Sequence, residues 1–217
     1  MALWLMRAGR HGEFEQKFLE ENRVYLTWEN LNRDLSKVTS PNNLRQLLKE
    51  TYPDNSEKKN IIHSSQIWKF SHQMNPGDWV ILPSKKSAIH VAEIASGYRY
   101  DSTAEDPYYH WREVNWIVTD VPRSNFRQDL LYSFGASMTI CSLTRNDAEK
   151  RVRDMAKTNW KSPPGPDPII RRRRTGGDME PEVADLEELA QDQIAKLIVM
   201  RFKGHGLARR SLRISYG

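Results

Sequence analysis

The chain has 217 residues, with 33 Lys and Arg against 28 Asp and Glu, a formal net charge of +5 and a pI near 9.3. That length suits one domain of ordinary size plus an extension, and no apolar run approaches the ~20 residues that a membrane-spanning helix needs. A single cysteine, Cys141, excludes an internal disulfide and a cysteine-cluster zinc site. It sits in the apolar run Met138–Cys141, where a buried, inert thiol is expected, and a cytoplasmic protein is the natural reading. The positive balance admits a polyanionic partner.

The first six residues are apolar but lack a basic segment before them and a cleavage site after them, so they read as a strand and not as a signal peptide. Strands are predicted at Leu3–Arg7 and Arg23–Trp28; in the second, Val24, Leu26 and Trp28 share one face at period two. Pro41 opens a helix through Leu44, Leu47 and Leu48, which Tyr52-Pro53 closes. A second helix is predicted over Lys59–Met74, and Asn75-Pro76-Gly77-Asp78 is a turn. Strands follow at Trp79–Leu82, Ile89–Ala95 and His110–Thr119. Gln128–Phe134 reads as a short helix, and Thr144 or Asn146 is positioned to cap a last one carrying Ala148, Val152, Met155 and Ala156. Strands with few helices between them argue for an α+β domain over residues 1–160, built on a curved sheet or small barrel with flanking helices. They do not suit a doubly wound parallel sheet.

Residues 161–184 hold prolines at 163, 164, 166 and 168, a run of four arginines and Gly176-Gly177. This composition reads as a linker. Beyond it, Leu186, Leu189, Ile194, Leu197, Ile198 and Phe202 recur at helical spacing, and residues 185–217 read as the start of a further domain that stops in the basic stretch Arg209–Arg213. Residues 1–160 hold 22 basic and 20 acidic side chains, residues 161–217 hold 11 and 8, so the excess is concentrated towards the end.

Motifs for catalysis are sparse. Gly9-Arg10-His11-Gly12 is too short for a phosphate-cradling Walker loop and lacks its Gly-Lys-Ser/Thr end. His63 and His72 are nine residues apart and cannot share a metal from one helix. Ser133-Phe134-Gly135 lacks the first glycine of a nucleophile elbow. Asp54 followed by Glu57-Lys58-Lys59 imitates a metal-dependent nuclease signature, but those carboxylates must converge on Mg²⁺ from adjacent strands. Here they sit in one charged turn, so no catalytic residue is assigned.

Aromatic residues carry more information. On the strand from His110, the even positions Val114, Trp116 and Val118 form an apolar face, and Tyr109, Trp111, Glu113 and Asn115 point the other way. Trp68 and Trp79 are placed to supply further walls. Together Trp68, Trp79, Tyr109, Trp111 and Asn115 make a candidate pocket in which a flipped base stacks between aromatic faces while polar groups read its edge. Arg7, Arg10, Lys85, Lys86, Arg123 and Arg127 are candidate phosphate contacts.

Trp68–Asp78, Val80–Pro83, His90–Ile94, Tyr100-Asp101 and Trp111–Val114 resemble, in that order, the EVE-like branch of the PUA superfamily. Trp4–Gly9 with Gly12-Glu13, Tyr25–Trp28 and Asp129–Ala136 are similar to the N-terminal region of Mrr-like restriction proteins, and Asp185–Ala208 resembles the opening helix of their nuclease domain. The resemblance implies a reader of modified, methylated DNA joined to a PD-(D/E)xK endonuclease, as in type IV restriction and phage defence. The match breaks after Ala208. The metal-binding Asp and Glu-x-Lys have no counterpart here, so Mg²⁺ is expected only of a nuclease domain that this chain lacks, and no other cofactor is expected. The expected function is a DNA-binding module that reads modified duplex. Two alternatives stand beside it: an Mrr-type endonuclease, and a domain using the same aromatic pocket for a small ligand or a protein.

Overall fold

The computed structural model describes residues 1–161. The linker at 162–184, the helical pattern from Asp185 to Phe202 and the basic tail lie outside the described residues. Among those described, no helix is long and apolar enough to cross a membrane.

The architecture is α+β. Seven strands form one curled, half-barrel-like sheet: β1 (Leu3–Met6), β2 (Arg23–Tyr25), β3 (Trp79–Pro83), β4 (Ala88–Ile94), β5 (Arg99–Tyr100), β6 (His110–Pro122) and β7 (Ile140–Ser142). Their order is β2-β6-β4-β3-β1-β7, with β5 on β6. Only the β1–β3 pair is parallel; the rest are antiparallel. The helices are α1 (Glu15–Glu21), α2 (Pro41–Thr51), α3 (Glu57–Trp68), α4 (Gln128–Phe134) and α5 (Ala148–Lys157).

Alternation along the strands divides the core into two layers. Trp4, Met6, Val80, Leu82, Ala92, Ile94 and Val114 pack on one side with Phe18 of α1, Leu44 and Leu48 of α2 and Ile67 of α3. Leu3, Leu5, Trp79, Ile81, Ile89, Val91 and Val121 pack on the other with Leu130 and Phe134 of α4 and Val152 and Met155 of α5. Both faces of the central strands are therefore buried, which explains why β1 and β3 read as continuous apolar runs.

The caps follow the sequence where the chemistry is strong. Ser40 accepts the N–H of Asn43 at 3.1 Å with Pro41 at the first helical position, and Ser56 caps α3 in the same way. Neither Thr144 nor Asn146 caps α5. Asp147 precedes it in a left-handed conformation with no side-chain cap, and Asn146 instead donates to the Asp129 carbonyl.

The helix predicted to Met74 changes character after Trp68. Residues Lys69–Gln73 widen into a π-helical turn, and the buried Arg112 side chain supplies donors to it: Nε to the Phe70 carbonyl at 2.8 Å and Nη2 to the Ser71 carbonyl at 3.3 Å. A third bond runs from Nη1 to the Ser96 carbonyl at 3.2 Å. Arg112 is 2% exposed, and burial lowers its pKa to about 10. The turn that follows is held by Asp78, whose carboxylate accepts from the Ala2 N–H, the Asn75 N–H and Trp4 Nε1. Gly77, at φ +89°, supplies the left-handed step. The Gly-Asp turn thus anchors the first strand.

Parity on β6 holds from His110 to Trp116 and then fails. Val91 pairs with Val118 while its neighbour Ala92 pairs with Trp116, so a bulge falls at Ile117. Val118 consequently packs with the second layer, not with Val114 and Trp116. A second irregularity follows, where Asp120 at φ +58° donates its N–H to His90 Nδ1 at 3.1 Å.

Candidate nucleic-acid interface

The phosphate candidates come from four places in the chain, and the topology carries five of them to one end of the sheet. Parallel pairing of β1 with β3 brings Arg7 and the Ser84–Ser87 turn to the same end. β6, antiparallel to β4, finishes there as well, and the Arg123 N–H donates to the Ser87 carbonyl at 3.1 Å. The loop after β1 completes the group: Gly12, at φ +76°, lies where an added Cβ would stand 3.1 Å from Lys85 Cγ. A side chain at this position would be strained by its backbone and would press on Lys85. Arg10 sits on this loop, whose Arg10 and His11 N–H groups both donate to Glu13. Arg127, which immediately precedes α4, is reached through the short turn in which Phe126 N–H bonds the Arg123 carbonyl.

The cations differ in exposure. Arg10, Lys85 and Lys86 are exposed; Arg7, Arg123 and Arg127 are half-buried. Arg7 donates Nη2 to the Ala136 carbonyl at 2.6 Å, and its buried Nε has no hydrogen-bond partner among the described residues. Burial, with Arg123 nearby, lowers its pKa. Arg7 therefore braces the end of β1, and the two lysines of the hairpin offer the open charges. Their turn is fixed from behind. The Ser84 hydroxyl donates to Glu15 Oε1 at 2.8 Å and accepts the Lys86 N–H at 3.0 Å, while His90, fully buried, places Nε2 3.4 Å from the same Glu15 oxygen.

The aromatic candidates are not brought together. Trp68 stacks on His72 with ring centroids 3.7 Å apart and packs against the first layer. Trp79 belongs to the second layer, where Nε1 donates to Glu93 at 3.2 Å and Arg153 lies 4.3 Å from the ring. Strand register aligns Trp79 with Glu93 and Glu93 with Asn115, so Asn115 is nearer to Trp79 than to Trp111. Tyr109 packs edge-on against His110 and lends its carbonyl to the Asp101 N–H. Trp111 lines a cavity that the other four residues do not border.

That cavity, about 250 Å³, lies between α1, β2 and the loop before β6. It is smaller than the ~300–1,000 Å³ of sites for drug-sized molecules. β2 pairs Tyr25 with Trp111, and Tyr25 meets Tyr108 edge-on at 5.3 Å. Two cations cover the rings: Lys17 Nζ is 4.6 Å from the Tyr108 centroid, and the Arg23 guanidinium is 3.9 Å from that of Trp111. Glu21 ties them down. It takes Lys17 at 2.5 Å, accepts the Tyr25 hydroxyl and stands 3.8 Å from Arg23. These bonds, with Lys17 first, hold its carboxyl below the usual range. Asp101 and Glu105 complete the rim.

Sequence reasoning missed α1 and with it Lys17 and Glu21. The helix is seven residues long and buries only Phe18, too little for a periodic stripe. Its signals were the i,i+4 pair Lys17–Glu21 and Asn22, which ends the helix in the left-handed conformation. The same helix joins the cavity to the basic end: Phe14 meets Tyr108 at 5.7 Å, two residues after Gly12 meets Lys85. Among the described residues no cluster of three or more His, Cys, Asp or Glu is placed to hold a metal ion.

The family model described as a domain of unknown function (DUF8426) matches residues 4–144, well over half of the chain, and the chain belongs to that family. The matched span opens in β1 and closes just after β7, so it contains all of the sheet but Leu3, the candidate phosphate contacts Arg7, Arg10, Lys85, Lys86 and Arg123 and the cavity, and leaves out α5. No curated protein and no solved structure matches the chain.

Proposed function

We propose that this member of the DUF8426 family is a nucleic-acid-binding module that reads modified bases in duplex DNA. The observation that supports it best is the convergence of Arg7, Arg10, Lys85, Lys86 and Arg123 on one end of the sheet from segments far apart in sequence. Phosphates seated on this end supply affinity without sequence information. The base is read in the cavity over Trp111, one helical segment away along α1, where ring faces stack a flipped nucleotide and carboxylates accept from its amino groups. The EVE-like and Mrr-like resemblance points to the same role, and to a restriction system as its setting.

The experiment is a titration of the chain against duplexes carrying methylcytosine, hydroxymethylcytosine or methyladenine and against plain duplex of the same sequence. Tighter binding to one modified duplex is expected. Each base–aromatic stack is worth roughly 1–3 kcal/mol to any flipped base, so the preference is expected to come from contacts made to the modification itself. Equal affinity for all four removes the reader.

A further inference from the structure

The cavity over Trp111 carries an unusual distribution of charge for a site on a nucleic-acid-binding surface. Its lining holds two cations, Lys17 and Arg23, and three carboxylates, Glu21, Asp101 and Glu105. A phosphate or carboxylate guest would meet net repulsion there. The aromatic faces are not empty either. Both carry a cation of the chain itself, an ammonium over Tyr108 and a flat guanidinium over Trp111. The attraction that holds these groups is the ring quadrupole acting on positive charge, and it acts equally on an incoming cation.

We infer that this cavity takes a flat ring carrying positive charge, the form that adenine and cytosine adopt when a ring nitrogen is methylated, with the guest replacing the Arg23 guanidinium on Trp111. The inference rests on the base-reader reading above and specifies its ligand. Arg23 already has partners beside the ring, Glu21 Oε2 at 3.8 Å and the Tyr25 hydroxyl at 3.4 Å from its Nη1, and it keeps them if its guanidinium swings off Trp111. The exchange therefore swaps one stacked cation for another without stranding either charge. A neutral methylated base of the same size has to expel Arg23 with no charge to offer in return.

The test uses the full chain and four free nucleosides at pH 6.5, followed by tryptophan fluorescence. Two carry positive charge, 1-methyladenosine and 3-methylcytidine; two are their neutral isomers, N6-methyladenosine and 5-methylcytidine. The charged pair is expected to bind about tenfold more tightly than the neutral pair. Arg23→Ala, which removes the competing cation, is expected to tighten the charged pair further, and Trp111→Ala to abolish binding. Neutral isomers that bind as well as the charged ones would overturn the charge selection while leaving the base pocket in place. If no nucleoside binds although duplex DNA still does, both the inference and the base-reading half of the proposed function fall, and the phosphate half stands. Tighter binding of a trimethyllysine amide than of any nucleoside would reassign the cavity to a protein partner and overturn the inference.

Discussion

Trp111 and Trp116 stand on opposite faces of β6. Their register partners are continuous from Tyr25–Trp111 to Ala92–Trp116, with the bulge beginning only beyond them. Trp111 lies under Arg23 at the cavity and Trp116 meets His90 edge-on at 6.1 Å, and both rings also pack against the first core layer.

The two rings should therefore respond differently to truncation. Trp116→Ala is expected to cost about 3 kcal/mol, at the low end for a buried aromatic because the ring is half-buried. Trp111 is also half-buried against that layer but borders the cavity, so Trp111→Ala is expected to cost less than Trp116→Ala and to weaken ligand binding. Trp116 Nε1 is buried without a hydrogen-bond partner among the described residues, so Trp116→Phe removes an unsatisfied donor and should cost under ~1 kcal/mol. Urea melts of the three variants check this; a Trp111→Ala chain less stable than Trp116→Ala would invert the face assignment.

Much of this arrangement was legible in the sequence. Long apolar runs and strong caps gave β1, β3, β4, β6, α2 and α4 to within a few residues. Parity gave the faces of Trp111 and Trp116. The basic residues were identifiable singly, and the parallel β1–β3 pairing that gathers them is a long-range fact with no local signature. Trp79 was misjoined to Trp111 because being aromatic says nothing about which layer a ring enters, and Trp68, though in the same layer as Trp111, does not line its cavity. Val118 was misplaced because a bulge shifts parity without changing composition. The strand expected to reach Trp28 ends at Tyr25, and β5 and β7, at two and three residues, are too short to show a period.

Acid should weaken the fold through a buried histidine. His110 is fully buried between the Tyr98 hydroxyl on Nδ1 at 2.7 Å and the Leu31 carbonyl on Nε2 at 2.6 Å. Because a carbonyl only accepts, Nε2 carries the proton of the neutral ring. Burial lowers the pKa to about 4, and burial lowers that of His72 too. With the folded pKa below the unfolded value of ~6.5, the unfolded chain binds the proton more readily. Stability is thus complete above pH ~6.5 and declines as pH falls towards 4, by at most ~2–3 kcal/mol for His110. Melts between pH 7.5 and 4.5 should show this slope, and His110→Gln should flatten it.

An ion pair joins α4 to α5 in the second layer. Arg151 of α5 grips Asp129 of α4 through Nη1 at 2.5 Å and Nη2 at 3.0 Å, with Asp129 only 3% exposed. Arg151→Met strands that carboxylate, and a loss of roughly 2–3 kcal/mol is expected, below the full ~3–5 kcal/mol of a wholly buried pair because the arginine is partly open to solvent. The double variant Asp129→Leu/Arg151→Met should recover part of the loss. Thermal melts of both chains make the comparison, and a single variant as stable as the parent would show that the pair contributes nothing.

The most direct measurement of the central claim is the salt dependence of duplex binding, compared between the parent chain and Lys85→Ala/Lys86→Ala. Both lysines are exposed on a turn held from behind by Ser84 and Glu15, so their removal should not disturb the fold. Each lost phosphate contact lowers the slope of log K against log salt by about 0.9. Binding by the parent is expected to fall steeply with salt, and the double variant to bind less tightly with a slope shallower by about 2. A parent chain whose affinity ignores salt, or a double variant with an unchanged slope, would contradict the assignment of this end of the sheet to phosphate.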